Sequence, residues 1–340
     1  MNEARSRIVS EVDFDQDGKQ TGFLRLFHSV HTSAYGFIPI PIVVVRNGEG
    51  PTALFISGNH GDEYEGQVAL CNLARSLGPA QIKGRVIILP AANLPASLAG
   101  RRTSPIDHGN LNRSFPGRAD GSVTEQIAFY IAHELMPRAD LICDLHSGGS
   151  SLMYLPSALI KRSPDPARMK KLRAALASFG APHAYIGGGG QGQGADQTAT
   201  GAAERAGVVI VGTELGGTGT VTPAALAIAE RGVRNLLVHL GILPQTERIA
   251  APGPTRTLEV GGPDYFTYAS ENGVFEPLVA LGCEVRSGQA AARIHFPETP
   301  WRQPVELAFQ RAGLVLCQRI PGRTARGDCL FHLATDLAPV

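Results

Sequence analysis

The stretch Phe55-Ile56-Ser57-Gly58-Asn59-His60-Gly61-Asp62-Glu63-Tyr64-Glu65-Gly66 decides the fold. Residues 53–56 are an apolar run that predicts a buried strand, and a helical pattern starts near Tyr64, so the two form a βα unit. The turn between them contains His60 and Glu63, a His-x-x-Glu pair. Residues three apart in the first turn of a helix share a face, which would bring an imidazole and a carboxylate to one metal ion. Taken alone, the pair is a weak signal, and a solvated turn with a chance His and Glu is the default interpretation.

Composition indicates an ordinary globular protein. At 340 residues the chain is long enough for two domains, or for one large domain plus a small one. Contents of 43% apolar and 18% charged residues are those of an ordinary globular protein. A net charge of +1 creates no long-range field, so nucleic acid and membranes are not expected as partners. Residues 1–17 are charged and lack the apolar core of a signal peptide, and no run of about 18 apolar residues would span a bilayer. The scattered cysteines predict buried free thiols of a reducing cytoplasm: Cys71, Cys143, Cys283, Cys317 and Cys329.

Strands alternate with helical patterns over residues 1–250. Short β segments in residues 1–50 are followed by predicted strands at 53–56, 85–90, 139–145, 183–186 and 208–213, and by helices at 64–77, 126–135, 166–178, 196–206 and 223–240. This alternation predicts an α/β domain with a mainly parallel sheet flanked by helices. After Pro252-Gly253-Pro254 the sequence pattern changes to short apolar segments separated by Gly and Pro, with few helical patterns. Residues 251–340 therefore predict a small all-β domain, a sandwich or a barrel.

Polar side chains follow three of these strands. His60 and Glu63 follow the first, His146 follows the strand at 139–145, and Glu214 follows the strand at 208–213. Ligands of parallel sheets bind beyond the carboxyl ends of the strands, so these side chains are expected to converge. His60, Glu63 and His146 would supply three zinc ligands and leave one position open. Scattered surface polar residues are the alternative.

Two further carboxylates suit the chemistry of such a site. Hydrolysis of an amide needs a group that takes a proton from water and passes it to the leaving amine, and Glu214 is the candidate. A helix cap or a structural carboxylate is the other interpretation of Glu214. Asp144 faces the same side of its strand as His146, so it could orient a ligand histidine by a hydrogen bond, or could be a plain buried aspartate.

A polar segment without periodicity covers residues 93–121, and stretches of this length inside a domain are usually functional. Arginine presents a planar fork of donors that matches a carboxylate, so Arg102 and Arg113, with Asn112, predict a substrate clamp. Arg113 could also stabilise an oxyanion. Ordinary arginines in a solvated loop remain the alternative. Ser122 and Glu125 then form a capping-box pattern at the start of the next helix.

Four motifs together resemble the succinylglutamate desuccinylase/aspartoacylase family of the zinc carboxypeptidase superfamily: Asn59-His60-Gly61-Asp62-Glu63, Asn110-Leu111-Asn112-Arg113-Ser114-Phe115-Pro116-Gly117, Asp144-Leu145-His146-Ser147-Gly148 and Thr213-Glu214-Leu215-Gly216. The resemblance covers nearly the whole chain and implies a zinc-carboxypeptidase-like fold. It implies one zinc ion (Zn2+) per chain on His60, Glu63 and His146, with Glu214 as general base and acid. It also implies Asn112 and Arg113 at the substrate, an N-acylated amino acid whose amide is cleaved.

Within that family, the motif Asn-Leu-Asn-Arg-x-Phe-Pro-Gly is similar to the bacterial branch that deacetylates N-α-acetyl-L-2,4-diaminobutyrate during ectoine breakdown. The resemblance implies this substrate. Succinylglutamate desuccinylase, aspartoacylase and carboxypeptidase-type activities stay open, as does metal-dependent binding without turnover and assembly into a homo-oligomer. Because Arg101-Arg102-Thr103-Ser104-Pro105 departs from the aspartoacylase pattern, which arginine binds the substrate carboxylate is left open.

Two other motifs favour different functions. Gly187-Gly188-Gly189-Gly190-Gln191-Gly192 fits the G-x-G-x-x-G pattern of dinucleotide sites, with Glu214 about 20 residues on. That hypothesis leaves the His60 and His146 motifs unexplained, so a lid or a flexible connector at the mouth of the site is simpler. Turn-like segments at 281–289 and 327–330 resemble lipoyl and biotin carrier domains, but no lysine follows Lys171 to carry a cofactor. In this region His295, His332 and Trp301 are expected to be packing or surface residues.

Overall fold

The strand before the His60 turn lies inside a large mixed sheet. The structure is a computed structural model that describes residues 5–187 and 195–337. Along this part of the chain the strands are β1 (Ile8–Ser10), β2 (Gly18–Phe27), β3 (Phe37–Asn47), β4 (Thr52–Ser57), β5 (Gly84–Leu89), β6 (Leu141–Leu145), β7 (Leu152–Tyr154), β8 (Ser157–Lys161), β9 (His183–Gly187), β10 (Val209–Glu214), β11 (Arg256–Val260), β12 (Phe266–Tyr268), β13 (Gly273–Pro277), β14 (Glu284–Val285), β15 (Ala290–His295), β16 (Val305–Ala308), β17 (Gly313–Arg319), β18 (Arg323–Thr324) and β19 (Cys329–Asp336). The large sheet has the order β1-β2-β3-β5-β4-β6-β10-β8-β9-β11-β19-β17-β14, with β12 paired to β19 and β7 to β17. The small sheet has the order β16-β15-β13-β18.

Helices cover both faces of the central strands, as predicted. They are α1 (Tyr64–Ser76), α2 (Leu94–Ala99), α3 (Val123–Tyr130), α4 (Pro166–Phe179), α5 (Ala199–Arg205) and α6 (Pro223–His239). Alternate residues of a strand point to opposite faces, so Phe55 of β4 packs into a core with α1, α4 and α6. Leu54 and Ile56 point the other way, into a core with α3, α5 and the N-terminal strands. Both cores are continuous and apolar, which holds the strand ends rigidly.

The prediction of a mainly parallel sheet is wrong, because the sheet is mixed. The pairs β5–β4, β4–β6 and β6–β10 are parallel, as crossover helices require. The pairs β1–β2, β2–β3, β3–β5 and β10–β8 are antiparallel. A short connection such as residues 28–36 allows only an antiparallel pair, since a parallel pair needs a crossover of a dozen residues or more.

The segment at 93–121 is partly helical, contrary to the prediction. Helix α2 ends at Gly100, which has a φ of 58°, and its six residues are too few to display a helical period. Farther on, Asp107 accepts hydrogen bonds from the backbone nitrogen and the hydroxyl of Thr124, at 2.7 and 2.8 Å. The predicted capping box is confirmed, because Ser122 and Glu125 bond reciprocally at the start of α3. The segment is therefore tied at both ends to helices.

From residue 256 to residue 337 the described chain contains strands and short 3-10 turns without an α-helix. These strands share a third apolar core that includes Phe275 and Phe331. Strand β11 pairs in parallel with β9, and β19 pairs with β11, so this region is hydrogen-bonded to the large sheet. The domain boundary at residue 251 stays a prediction.

The structure also bears on the predictions of free thiols and of no membrane-spanning segment. All five cysteines are free, as predicted, but only Cys143 and Cys317 are buried. Cys71 and Cys329 are half-buried, and Cys283 is exposed because it lies outside a strand, just before β14. Among residues 5–187 and 195–337, no helix has the length and apolarity needed to cross a membrane. The glycine stretch 188–194, predicted as a lid or connector, lies outside the described residues.

Candidate metal centre and active site

His60 and Glu63 lie in the turn between β4 and α1, as predicted. Glu63 is the N-cap of α1 and has an extended backbone, and its side chain does not cap the helix. The carboxylate is therefore directed elsewhere: its Oε1 lies 2.6 Å from His60 Nδ1. Gly61 makes this turn feasible, because a Cβ there would lie 2.0 Å from the carbonyl oxygen of Ala96 in α2.

His146 reaches the same point from the end of β6. Its Nδ1 lies 2.8 Å from Glu63 Oε2, so the Glu63 carboxylate contacts both histidines. Thr213 at the end of β10 holds the His146 backbone, accepting from its nitrogen and donating to its carbonyl oxygen, both at 3.0 Å. The three candidate ligand atoms lie within 4.8 Å of one another. Two imidazole nitrogens and one carboxylate form a donor set that suits a divalent metal ion.

Hydrogen bonds on the outer side of each imidazole fix its orientation. His146 Nε2 lies 2.9 Å from Asp144 Oδ2, and Asn59 donates to both oxygens of that aspartate. His60 Nε2 lies 3.1 Å from Asn110 Oδ1. Both Nδ1 atoms therefore point inward at Glu63. The geometry places Asp144 where the sequence predicted an orienting carboxylate, whereas the matching partner of His60 was missed because Asn110 is fifty residues distant and carries no periodic signal.

The charges of the cluster depend on one another. Burial opposes ionisation of Glu63, but the two histidines outweigh it by charge and hydrogen bonding and hold the pKa of Glu63 well below its usual range. Burial lowers the pKa of His60 by more than Glu63 raises it. For His146, Asp144 and Glu63 overcome burial and raise the pKa well above its usual value. Because imidazole binds metal only when deprotonated, a divalent cation at this cluster would compete with protons for His146.

Glu214 occupies the end of β10, as predicted, and faces the same cavity. Its Oε2 is buried and has no hydrogen-bond partner among the described residues. Burial and the negative charge of Glu63 raise the pKa of Glu214 well above its usual value. A carboxylate that is desolvated and unpaired is a stronger base than one in water, which is the property expected of a proton acceptor.

The predicted clamp residues lie together beside the cluster. Arg102 is 47% exposed, and its Nη1 donates to Glu63 Oε1 at 3.4 Å. Burial and the charge of Arg102 lower the pKa of Arg113, so the two guanidinium groups are neighbours. Asn112 is engaged within the protein: its Oδ1 accepts from the backbone nitrogen of Ala199 at 2.8 Å, and its Nδ2 lies 3.2 Å from His146 Nε2.

One cavity of about 380 Å³ joins all of these groups, a volume in the range of small-molecule sites. It is lined by every predicted site residue: His60, Glu63, Arg102, Asn112, Arg113, His146 and Glu214. Its far wall comes from β7, β9, β12 and β19 and includes Tyr154, Tyr185 and His332, which the sequence did not place at the site. A larger cavity of about 830 Å³, next to the small sheet, is lined by none of the predicted site residues.

Comparison with known proteins agrees with this site. Residues 49–240 match the model of the succinylglutamate desuccinylase/aspartoacylase catalytic domain. The chain is 44% identical over 329 residues to the N-alpha-acetyl-L-2,4-diaminobutyric acid deacetylase of Halomonas elongata, covering 97% of this chain and 95% of that one.

Two solved structures of family members are similar to this chain over almost its whole length. The product-bound ectoine utilization protein EutE (DoeB) of Ruegeria pomeroyi is similar with a TM-score of 0.93 and 42% identity, over 98% of this chain and 100% of that one. A succinylglutamate desuccinylase/aspartoacylase of Rhodobacter sphaeroides is similar with a TM-score of 0.92 and 40% identity, with the same coverage.

Proposed function

Because the chain belongs to the succinylglutamate desuccinylase/aspartoacylase family, we propose that it is a zinc-dependent deacylase that hydrolyses N-α-acetyl-L-2,4-diaminobutyrate to L-2,4-diaminobutyrate and acetate. One observation carries the proposal: the cluster of His60, Glu63 and His146 shares a cavity with the unpaired carboxylate of Glu214. The relationship to the Halomonas elongata deacetylase supports the choice of substrate and a role in ectoine catabolism.

The metal would be held by His60 Nδ1, a carboxylate oxygen of Glu63 and His146 Nδ1. These atoms already face one another. Zinc at this position would polarise the acyl carbonyl and lower the pKa of water to about 7. Asp144 and Asn110 would keep the two imidazoles in the ligating orientation through their outer nitrogens. Two imidazole nitrogens and a carboxylate oxygen are a donor set that suits zinc.

Glu214 would move the proton. Its free Oε2 accepts a proton from the attacking water and donates it to the leaving α-amino group. The raised pKa suits both steps, because a base works best when its pKa lies near the working pH. No other described carboxylate that lines this cavity combines an unpaired oxygen with a position outside the metal-ligand set.

The two arginines would bind the α-carboxylate of the substrate, with Arg113 also stabilising negative charge on the carbonyl oxygen. Their neighbouring positive charges support this role, because an anion between them relieves their mutual repulsion. Asn112 would contribute indirectly, since its amide connects His146 to α5. A cytoplasmic location is proposed from the five free thiols.

The experiment compares zinc-loaded and chelator-treated protein on N-α-acetyl-L-2,4-diaminobutyrate, N-acetyl-L-aspartate and N-succinyl-L-glutamate. We expect metal-dependent release of acetate from the first substrate. Preference for another substrate would change the assigned substrate but not the assigned reaction. No turnover of any substrate with zinc bound would indicate a binding role without catalysis.

Two variants and one control test the residue assignments in the same assay. His60→Ala should lose zinc, and His295→Ala, which changes an exposed histidine of β15, should keep it. Glu214→Gln should keep zinc and lose about 10²- to 10⁴-fold in kcat, the usual contribution of a general base. Full metal content in His60→Ala would remove that residue from the ligand set.

A further inference from the structure

His332 is a buried histidine without a hydrogen bond. It lies in β19 and is 5% exposed, and among the described residues neither Nδ1 nor Nε2 has a partner. A buried polar group without a partner destabilises a fold, so native proteins seldom leave one without a function. The side chain lines the cavity that contains Glu214 and the metal cluster, so a ligand in that cavity could supply the missing partner.

Aromatic side chains hold the His332 ring in place. The ring stacks on Phe266 with centroids 4.4 Å apart and an interplanar angle of 9°. Tyr154 and Tyr185 meet it edge to face, with centroids 6.0 and 6.1 Å away. All four side chains line the same cavity, and we call them the aromatic recess. The ring cannot rotate freely within these contacts, so its nitrogens keep a defined direction.

The recess is uncharged near neutral pH. Burial lowers the pKa of His332 to about 4, so the ring is neutral and one nitrogen carries a lone pair. Burial also raises the pKa of Tyr154 and of Tyr185 well above the usual value. A neutral imidazole does not repel a cation and can accept a hydrogen bond from it.

The sign of the local field favours a cation over an anion. Glu214 lines the same cavity as the recess, and its carboxyl group adds negative charge there when it is ionised. Ring faces attract ammonium groups, and this attraction grows when water is excluded. A carboxylate would instead find better donors at Arg102 and Arg113, which belong to the loop before α3. The cavity is therefore divided into an anion-binding part and a cation-binding part.

We propose that His332 is a specificity-determining residue that accepts a hydrogen bond from the side-chain ammonium of the substrate, while the rings of Tyr154, Tyr185 and Phe266 surround that group. This inference rests on the proposed function, which supplies an amino acid with one ammonium on its side chain. Within that function, His332 explains selection for a diamino acid over neutral and acidic amino acids.

The test compares two substrates of nearly equal shape. N-acetyl-L-norvaline carries a methyl group where N-α-acetyl-L-2,4-diaminobutyrate carries the ammonium. We expect His332→Phe to lower kcat/KM for the diaminobutyrate substrate by about 10- to 100-fold, the range for one hydrogen bond to a charged group, and to change the norvaline substrate by less than about 3-fold. His332→Gln keeps an acceptor and should recover part of the loss. Equal losses on both substrates would overturn the proposal.

Binding of the products separates this inference from the proposed function. Calorimetry on the zinc-loaded protein would compare L-2,4-diaminobutyrate with L-norvaline in the wild type and in His332→Phe. If neither acetylated substrate is hydrolysed, the proposed function fails, but tighter binding of the diamino acid that is lost in His332→Phe still supports the recess. Equal binding of the two amino acids by the wild type overturns it, whether or not the variant folds.

Discussion

Because His332 is buried, the free energy of unfolding should depend on pH, and substituting this one residue should remove that dependence. The unfolded chain binds a proton at this histidine near its ordinary pKa of 6.5, whereas burial in the fold lowers the pKa to about 4. As the pH falls from 6.5 towards 4, the unfolded state therefore gains a proton that the folded state does not accept. The stabilising contribution is complete above pH 6.5 and is lost as the pH falls through this window.

The size of the effect follows from the difference in pKa. A difference between 6.5 and about 4, at 1.36 kcal/mol per unit, corresponds to about 3 kcal/mol. The tyrosines and the thiol beside the ring do not titrate in this window. Tyr154, Tyr185 and Cys317 have pKa values raised well above their usual values by burial, so they stay neutral throughout. His332→Phe removes the titrating group and keeps an aromatic ring to stack on Phe266.

The assay is urea unfolding followed by circular dichroism at several pH values between 7 and 4. The wild type should lose about 3 kcal/mol of unfolding free energy relative to His332→Phe across this range. His332→Gln is the matched control, because it keeps a polar side chain but cannot titrate, and its pH dependence should equal that of His332→Phe. Parallel curves for the wild type and both variants would refute the reasoning.

Three further changes test the metal centre. Asp144→Asn should weaken zinc binding by about 10- to 100-fold, measured by competition with a chromophoric chelator, and unchanged affinity would remove Asp144 as an orienting group. Glu214→Gln should stabilise the chelator-treated protein above pH 4.5. Burial raises the pKa of this carboxyl in the fold, so its ionisation lowers the free energy of unfolding as the pH rises. A gain of equal size at pH 4 would contradict this cause. Gly61→Ala should cost about 1–3 kcal/mol in urea unfolding, since its Cβ would meet the Ala96 carbonyl oxygen at 2.0 Å. Gly253→Ala is the control, as nothing lies within 4 Å of its Cβ, and equal stabilities of the two variants would argue against the clash.

Local patterns located the reacting groups because each follows a strand that is buried on both faces. Strands β4, β5 and β6 are nearly continuous apolar runs, and their observed bounds lie within two residues of the predicted ones. A strand covered on both sides needs apolar residues at every position, so its end is easy to recognise. The polar residues at or just beyond strand ends, such as His146 after β6 and Glu214 at the end of β10, were therefore predicted without knowledge of the pairing.

Features that depend on distant segments could not be predicted. The direction of β8 against β10 and the joining of β11 to β9 are decided by packing across the sheet, not by local periodicity. His332 follows Glu214 by more than one hundred residues and enters the cavity only because β19 pairs with both β12 and β17. On its strand it has the pattern of a packing residue, which is how it was interpreted. Only its unpartnered nitrogens, visible in three dimensions, distinguish it from one.

The reacting groups and part of the opposite cavity wall come from regions of the chain that are far apart in sequence. The turn after β4 and the ends of β6 and β10 carry the metal-binding cluster and Glu214, whereas β12 and β19 carry Phe266 and His332. Substitutions in β12 and β19 can therefore change which compounds are admitted without altering the hydrolytic apparatus.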